Sequence, residues 1–131
     1  MTQDEAQALT LRWLTEAGLS PGARVLDFGC GPGNLAGLIL SRVGERGSVV
    51  GLDNNEGFLA QARALHAGRD ATFLAADLRE PLPRDLGSFD AVIGRRVLMY
   101  LPDPRGALER LRALVRPGGL VFVQEFVLLD T

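Results

Sequence analysis

The sequence contains no lysine, one cysteine and one histidine among its 131 residues. All 14 basic residues are arginines, they form no basic run, and the net charge is −2. This composition gives no electrostatic support for nucleic-acid binding, which is therefore not expected. Because Cys30 is alone, no internal disulfide can form, and a reducing cytoplasm is the expected location. No apolar run approaches the ~20 residues that a membrane-spanning helix needs, so no membrane association is predicted.

The length and the 47% hydrophobic content are typical of one globular domain. We therefore predict a single domain over residues 1–131, with an N-terminal helix at 3–17 and a core at 22–127. The helix is predicted from apolar residues at helical spacing, which are Ala6, Leu9, Trp13, Leu14 and Ala17.

After this helix, short apolar strands alternate with helices. The predicted strands are RVLDFG, SVVGLD, ATFLAAD, FDAVIG and LVFVQEFVLLD, the last covering residues 120–130. The segment RPGG is predicted to end the last helix. The alternation predicts an α/β fold, a doubly wound and mostly parallel sheet of about five strands with helices on both faces. Ligands of such sheets bind at the carboxyl ends of the strands, near the point where the strand order reverses.

Three glycines follow the first predicted strand in a G-x-G-x-G spacing, within the segment VLDFGCGPGN. Carboxylates lie at or near the ends of three strands: Asp27, Asp53 and Asp77. Asp27 would repel a pyrophosphate but suits a ligand that carries an ammonium group. An acid at the position of Asp53 can accept hydrogen bonds from ribose hydroxyls. A ribose and an ammonium, with no phosphate required, indicate S-adenosylmethionine (SAM).

Five segments together resemble the class I SAM-dependent methyltransferases, a family with a Rossmann-like fold. They are VLDFGCGPGN, GLDNN, AADLREPLP, FDAVIGRRVLMYLPDP and LVRPGGLVFVQE, in the order and at the spacing of that family. The resemblance covers the chain from about Gly22 to Gln124. It implies SAM as the cofactor and methyl transfer as the activity.

The resemblance also implies where the ribose and the methionine part of SAM are bound. The loop residues expected to line this part by backbone contact are Gly29, Cys30, Gly31 and Gly33. Asp27 is expected at the methionine amino group, and Asp53 at both ribose hydroxyls. Arg95 is expected to approach the methionine end with its backbone carbonyl.

The resemblance further implies an adenine site, in which Asn54 lies beside the base. Asp77 is expected to accept from the exocyclic amine, and Leu78 to pack on the ring. Other roles remain open at this point. Arg95 and Arg96 could form surface ion pairs, or at least one of them could serve the pocket. Tyr100 could either close over the site or pack under the last helix.

The same residues could also have purely structural roles that involve no ligand. The three glycines could form a tight turn, Asp53 could be only a helix cap, and Asp77 could be a solvated strand end. Asp27 could stabilise the conformation of the glycine loop without contacting a ligand. A nucleophilic role for Cys30 lacks an adjacent base, because His66 is predicted on the surface of a helix that is remote in the strand order.

The chain departs from the family near its end. Class I methyltransferases usually continue after the fifth strand with a helix and two more strands, which help to shape the acceptor pocket. We therefore expect a fold truncated after the fifth strand, lacking most of the acceptor half. Residues 120–130 would then form an exposed apolar edge, for which we predict a homodimer through this edge, strand exchange or poor solubility.

We predict a SAM-dependent methyltransferase that acts on a small-molecule acceptor, with no metal and no catalytic residue that the sequence identifies. Methyl transfer depends largely on positioning, so the absence of a catalytic dyad is compatible with this class. The alternative is a non-catalytic SAM-binding module, or a subunit that needs a partner chain. A nicotinamide-dependent oxidoreductase is disfavoured by the glycine spacing and by Asp27.

Overall fold

The computed structural model of the protein describes residues 2–125, in which five strands alternate with four α-helices and one short 3-10 helix. The helices are α1 (Gln3–Glu16), α2 (Asn34–Val43), α3 (Glu56–Leu65) and α4 (Pro104–Arg112), with the 3-10 helix at Leu98–Tyr100. The strands are β1 (Arg24–Phe28), β2 (Ser48–Asp53), β3 (Ala71–Ala75), β4 (Phe89–Arg95) and β5 (Val115–Gln124).

The strands form one sheet in the order β3-β2-β1-β4-β5, and every neighbouring pair is parallel. The predicted α/β class and parallel sheet are therefore confirmed. The chain moves outward from β1 to β3 and then returns to pair β4 with β1, so the strand order reverses between these two strands. Their carboxyl ends define the edge at which ligands bind in such sheets.

Side chains of the central strands alternate between two buried cores, as strand geometry requires. Val25, Val49 and Ile93 pack in a cluster with residues of α1, α2 and α3. The neighbouring positions Leu26, Leu52 and Val92 pack in a second cluster with residues of α4. The sheet is thus covered on both faces, and the loops at its carboxyl edge extend from a rigid base.

Two strand boundaries differ from the sequence prediction. β3 ends at Ala75, so Asp77 lies in the loop that follows and not on the strand itself. β5 begins at Val115, and the RPGG segment lies within it instead of ending the last helix. The reason is an irregularity in the ladder, since Phe89 pairs with Val115 but Ala91 already pairs with Leu120. The glycines allow the intervening residues to bulge from the sheet.

The buried face of α1 also differs from the predicted stripe. Thr10 and Leu14 are buried, whereas Trp13 is 40% exposed and Ala17 lies at the surface. Thr10 can be buried because its hydroxyl lies 3.0 Å from the carbonyl oxygen of Ala6 and 3.2 Å from Oε1 of Gln124. Polar contacts with the end of β5 therefore help to orient this helix.

β5 forms one edge of the sheet, as the sequence predicts. Val121 on this strand is 37% exposed. The rest of the predicted apolar edge, residues 126–130, lies outside the described residues, and the homodimer through this edge stays a prediction. None of the helices within residues 2–125 is both long and apolar enough to cross a membrane.

Candidate functional site

A cavity of about 500 Å³ opens at the carboxyl edge of the sheet, where β1, β2 and β4 end. This volume is typical of small-molecule sites. Six of the ten sequence-predicted site residues line it: Gly29, Gly31, Asp53, Asn54, Asp77 and Leu78. The other lining residues are Phe58, Ala76, Arg79, Arg96, Val97, Tyr100 and Leu101.

The glycine loop brings bare backbone to the wall of this cavity. Gly29 and Gly31 have φ angles of 67° and 55°, a region that side chains disfavour. A Cβ at Gly29 would lie 2.4 Å from Cγ2 of Val97, so this glycine is required by close packing. A Cβ at Gly31 would meet no atom within 4 Å and would project into open space. Gly31 therefore leaves the main chain of the cavity wall open to a ligand.

Asp53, the last residue of β2, is held by two backbone amides. The N–H of Gly31 donates to Oδ2 at 2.9 Å, and the N–H of Asn55 donates to Oδ1 at 2.9 Å. A carboxylate oxygen has two lone pairs, so each oxygen can accept a second bond from a ligand. The carboxylate is thus fixed in orientation and suited to two neighbouring hydroxyl donors.

Asp77 lies in the loop after β3 and forms an ion pair with Arg79, whose Nη2 is 2.8 Å from Oδ2. The backbone N–H of Arg79 also donates to Oδ1 at 2.9 Å. These bonds lower the pKa of Asp77 to about 2, so its carboxylate stays ionised at neutral pH. Asp77 lines the cavity, and an arginine already occupies part of its hydrogen-bonding capacity, so its predicted role at the adenine amine stays a prediction.

Asp27 does not line the cavity and lies within β1, with only 1% of its surface exposed. Neither carboxylate oxygen has a hydrogen-bond partner among the described residues. Burial raises its pKa to about 8, partly offset by the positive charge of Arg95 and reinforced by the negative charge of Asp53. Asp27 is therefore largely protonated at neutral pH.

Cys30 is buried beneath the loop and is also absent from the cavity wall. Its Sγ lies 3.5 Å from the carbonyl oxygen of Gly31. Burial, together with the charges of Asp27 and Asp53, raises the pKa of the thiol to about 12. Because only the thiolate is a strong nucleophile, this thiol is chemically inert at neutral pH.

His66 is buried, with 5% of its surface exposed, so its predicted surface position was wrong. It caps the carboxyl end of α3, and its Nε2 donates to the carbonyl oxygen of Gly33 at 2.8 Å. The ring also stacks on Phe73 with a centroid distance of 5.8 Å. Gly33 faces this histidine, away from the cavity, since a Cβ there would lie 3.1 Å from the imidazole. The glycine loop is thus supported from behind by α3.

Arg95, the last residue of β4, lines a neighbouring cavity instead. Its Nη1 donates to Oγ1 of Thr10 at 3.4 Å. The four predicted residues outside the first cavity are thus Asp27, Cys30, Gly33 and Arg95. Among residues 2–125, no group of three or more histidine, cysteine or acidic side chains is arranged to hold a metal ion.

Sequence reasoning missed several lining residues, of which Phe58, Arg79 and Val97 matter most. Phe58 and Tyr100 are unusually exposed for aromatic residues, at 40% and 75%. The sequence carried a signal for both aromatic residues, because each follows shortly after a strand that ends at the carboxyl edge of the sheet. Aromatic residues at that edge are candidates for contact with a planar ligand.

A family model described as a methyltransferase domain matches residues 25–119, which include the glycine loop and all three acids. The chain belongs to this methyltransferase domain family. Two curated relatives are a trans-aconitate 2-methyltransferase of Variovorax paradoxus and a ubiquinone biosynthesis O-methyltransferase of Bordetella avium. The first is 34% identical over 93% of this chain and 46% of that protein, and the second is 36% identical over 87% and 47%.

A solved structure extends this similarity to the fold. An S-adenosylmethionine dependent methyltransferase from Mesorhizobium loti superposes with a TM-score of 0.74 and 32% identity. The match covers 89% of this chain and 52% of that one. This methyltransferase domain therefore spans about half the length, or less, of these relatives.

Proposed function

We propose that this methyltransferase domain binds SAM in the first cavity and transfers its methyl group to a small-molecule acceptor. The observation that carries the proposal is the arrangement of Asp53 beside Gly31. A carboxylate fixed by two amides lies against side-chain-free backbone in a cavity of about 500 Å³. This combination suits a nucleoside whose two ribose hydroxyls donate to the acid while the sugar approaches the main chain.

The position of Asp53 supports SAM over a dinucleotide. The wall carries two carboxylates, Asp53 and Asp77, and two arginines, Arg79 and Arg96, of which Arg79 is paired with Asp77. The carboxylate of Asp53 lies against the backbone N–H of Gly31, where it would oppose a pyrophosphate at the glycine loop. Leu78, Phe58 and Tyr100 add the apolar surface that an adenine ring would contact.

Asp27 supports a site for the ammonium group at the end of the glycine loop. Its oxygens lack partners, and an unpaired buried carboxyl group is costly. A cation that reached this carboxyl group would favour its ionised form and supply the missing partner. Because Asp27 is buried behind the cavity wall, it would bind the amino group of the ligand through a bridging water, and it takes no part in the bond rearrangement.

When bound, SAM supplies a methyl group on a positively charged sulfur. The sulfur leaves as a neutral thioether when an acceptor nucleophile takes the methyl group. The chain's own residues contribute binding and orientation. Asp53 and the glycine loop fix the ribose, and the 3-10 helix places Tyr100 at the mouth of the cavity. Alignment of the reacting atoms supplies much of the rate enhancement in such a displacement.

The relatives support a small-molecule acceptor, because both are named for reactions on small metabolites. The net charge of −2 and the lack of a basic run agree with this acceptor class. We place the reaction in the cytoplasm, on the ground of the single unpaired cysteine.

Calorimetric titration with SAM and with its product S-adenosylhomocysteine (SAH) tests the proposal, with NADH as the control ligand. We expect micromolar affinity for SAM or SAH, about −7 to −8 kcal/mol, and none for NADH. Transfer of a tritiated methyl group to a panel of small acids and phenols then tests activity. Binding without transfer would support the alternative of a SAM-binding module, and NADH binding without SAH binding would overturn the proposal.

A further inference from the structure

A second cavity of about 430 Å³ lies beside the first, between α1 and the carboxyl end of β4. Its lining residues are Thr2, Gln3, Ala6, Gln7, Asn34, Arg95 and Arg96. We propose that this cavity binds the methyl acceptor and recognises a carboxylate group on it. The inference rests on the proposed function, because it assigns the acceptor class to the same site.

The position of the second cavity fits the role of an acceptor site. Arg96 lines both cavities, so the two spaces adjoin at the end of β4. The second cavity is also large enough for a separate small molecule. If only the carboxylate of the SAM methionine part entered the second cavity, most of the volume of that cavity would stay unfilled.

The polar groups around the second cavity favour an anion. Two arginines and three side-chain amides line it, and none of the residues between 2 and 125 that contribute to its wall is acidic. Gln3 and Gln7 lie one helical turn apart on α1, so both amides reach the same side of that helix. A guanidinium binds a carboxylate through two parallel N–H bonds, a geometry that a neutral ester or amide cannot match.

The guanidinium of Arg95 is partly desolvated and only weakly compensated. Among residues 2–125, no carboxylate lies within ion-pair distance of it. Burial and the neighbouring charge of Arg96 lower its pKa. Asp27 acts on this guanidinium in the opposite direction but forms no ion pair with it. A carboxylate ligand would give the guanidinium of Arg95 a directly bonded opposite charge.

Arg95 is also held in place before any ligand binds. Its Nη1 donates to Oγ1 of Thr10, a residue with 1% exposure that is itself fixed by contacts with Ala6 and Gln124. The remaining N–H groups of the guanidinium stay able to donate to a ligand. Such preorganisation reduces the entropy lost when the ligand is bound.

Calorimetry on the 131-residue protein saturated with SAH tests this inference. The probes are benzoate, succinate and trans-aconitate, each compared with its methyl ester. We expect at least one acid to bind about tenfold or more tightly than its ester, because the ester cannot form charge-assisted bonds. Arg95→Gln should weaken that acid by about tenfold or more. Arg12→Gln, which removes an exposed arginine of α1, serves as the matched control.

A second variant tests the charge without altering Arg95. Gln7→Glu adds a negative charge to the cavity wall from a helix position and should also weaken the acid by about tenfold. Equal affinity of acids and esters, or binding of neither, would overturn the inference while SAH binding keeps the proposed function intact. A larger loss of SAH affinity than of acid affinity in Arg95→Gln would also overturn it, because the arginine would then serve SAM. Failure of the wild-type protein to bind SAH would instead refute the proposed function.

Discussion

Replacing Asp27 with asparagine is expected to remove the contribution of this buried carboxyl group to the pH dependence of stability between pH 4 and pH 8. In the folded protein the buried Asp27 has a pKa of about 8, compared with 3.8 when it is exposed to water. Between these values the folded state holds a proton that the unfolded state has released. Unfolding therefore becomes easier as the pH rises, and the full stability is present only below about pH 4.

The size of the effect follows from the two pKa values. Each pH unit between them lowers the free energy of unfolding by about 1.4 kcal/mol. Because the slope flattens as pH 8 is approached, the wild type should lose roughly 3–4 kcal/mol between pH 5 and pH 8 relative to Asp27→Asn. This loss is a large part of the stability of an ordinary domain, about 5–15 kcal/mol.

Urea unfolding followed by circular dichroism at pH 5, 6, 7 and 8 measures the effect. Subtracting the two unfolding free energies at each pH cancels the contributions of all titratable groups that the two proteins share. Asp85→Asn, which removes an exposed carboxylate, is the matched control for the loss of one acidic side chain. Parallel pH profiles for the wild type and Asp27→Asn would refute the reasoning, since Asp27 would then be ionised in the folded protein.

Three further predictions concern the ligand. SAH binding at pH 7 should release a proton from Asp27, because its pKa of about 8 keeps it largely protonated before the ligand binds, and calorimetry in buffers of different ionisation enthalpy should detect no release with Asp27→Asn. Gly31→Ala should weaken SAH binding because its Cβ enters the cavity, whereas Gly68→Ala, also at positive φ with open space around it, should leave the titration unchanged. Arg79→Ala should strengthen SAH binding by freeing Asp77 for the ligand. Weaker binding would show that Arg79 contacts the ligand itself.

The parallel sheet could be predicted because each central strand is a short apolar run bounded by glycine or by an acid. SVVGLD, for example, forms β2 with the predicted bounds. The RPGG segment could not be placed in β5, because local turn propensity indicates a stop while pairing with β4 carries the strand through it. Long-range pairing, which the local sequence does not contain, decided that boundary.

Within the site, residues fixed by the topology were predicted better than residues placed by side-chain packing. Asp53 follows directly from a strand end and the glycine loop. His66 was misplaced because its burial depends on α3 reaching Gly33, a contact between positions 33 residues apart. The separation of Arg95 from the first cavity likewise depends on its hydrogen bond with Thr10, 85 residues away.

The central claim is that Asp53 holds the ribose of SAM, and SAH titration into the wild type and Asp53→Ala tests it most directly. The wild type should bind SAH with micromolar affinity, and the variant should bind about 5- to 150-fold more weakly, a loss of about 1–3 kcal/mol. Circular dichroism must first show that the variant is folded, because Asp53 also accepts bonds from Gly31 and Asn55. Equal SAH affinity in a folded variant would contradict the account.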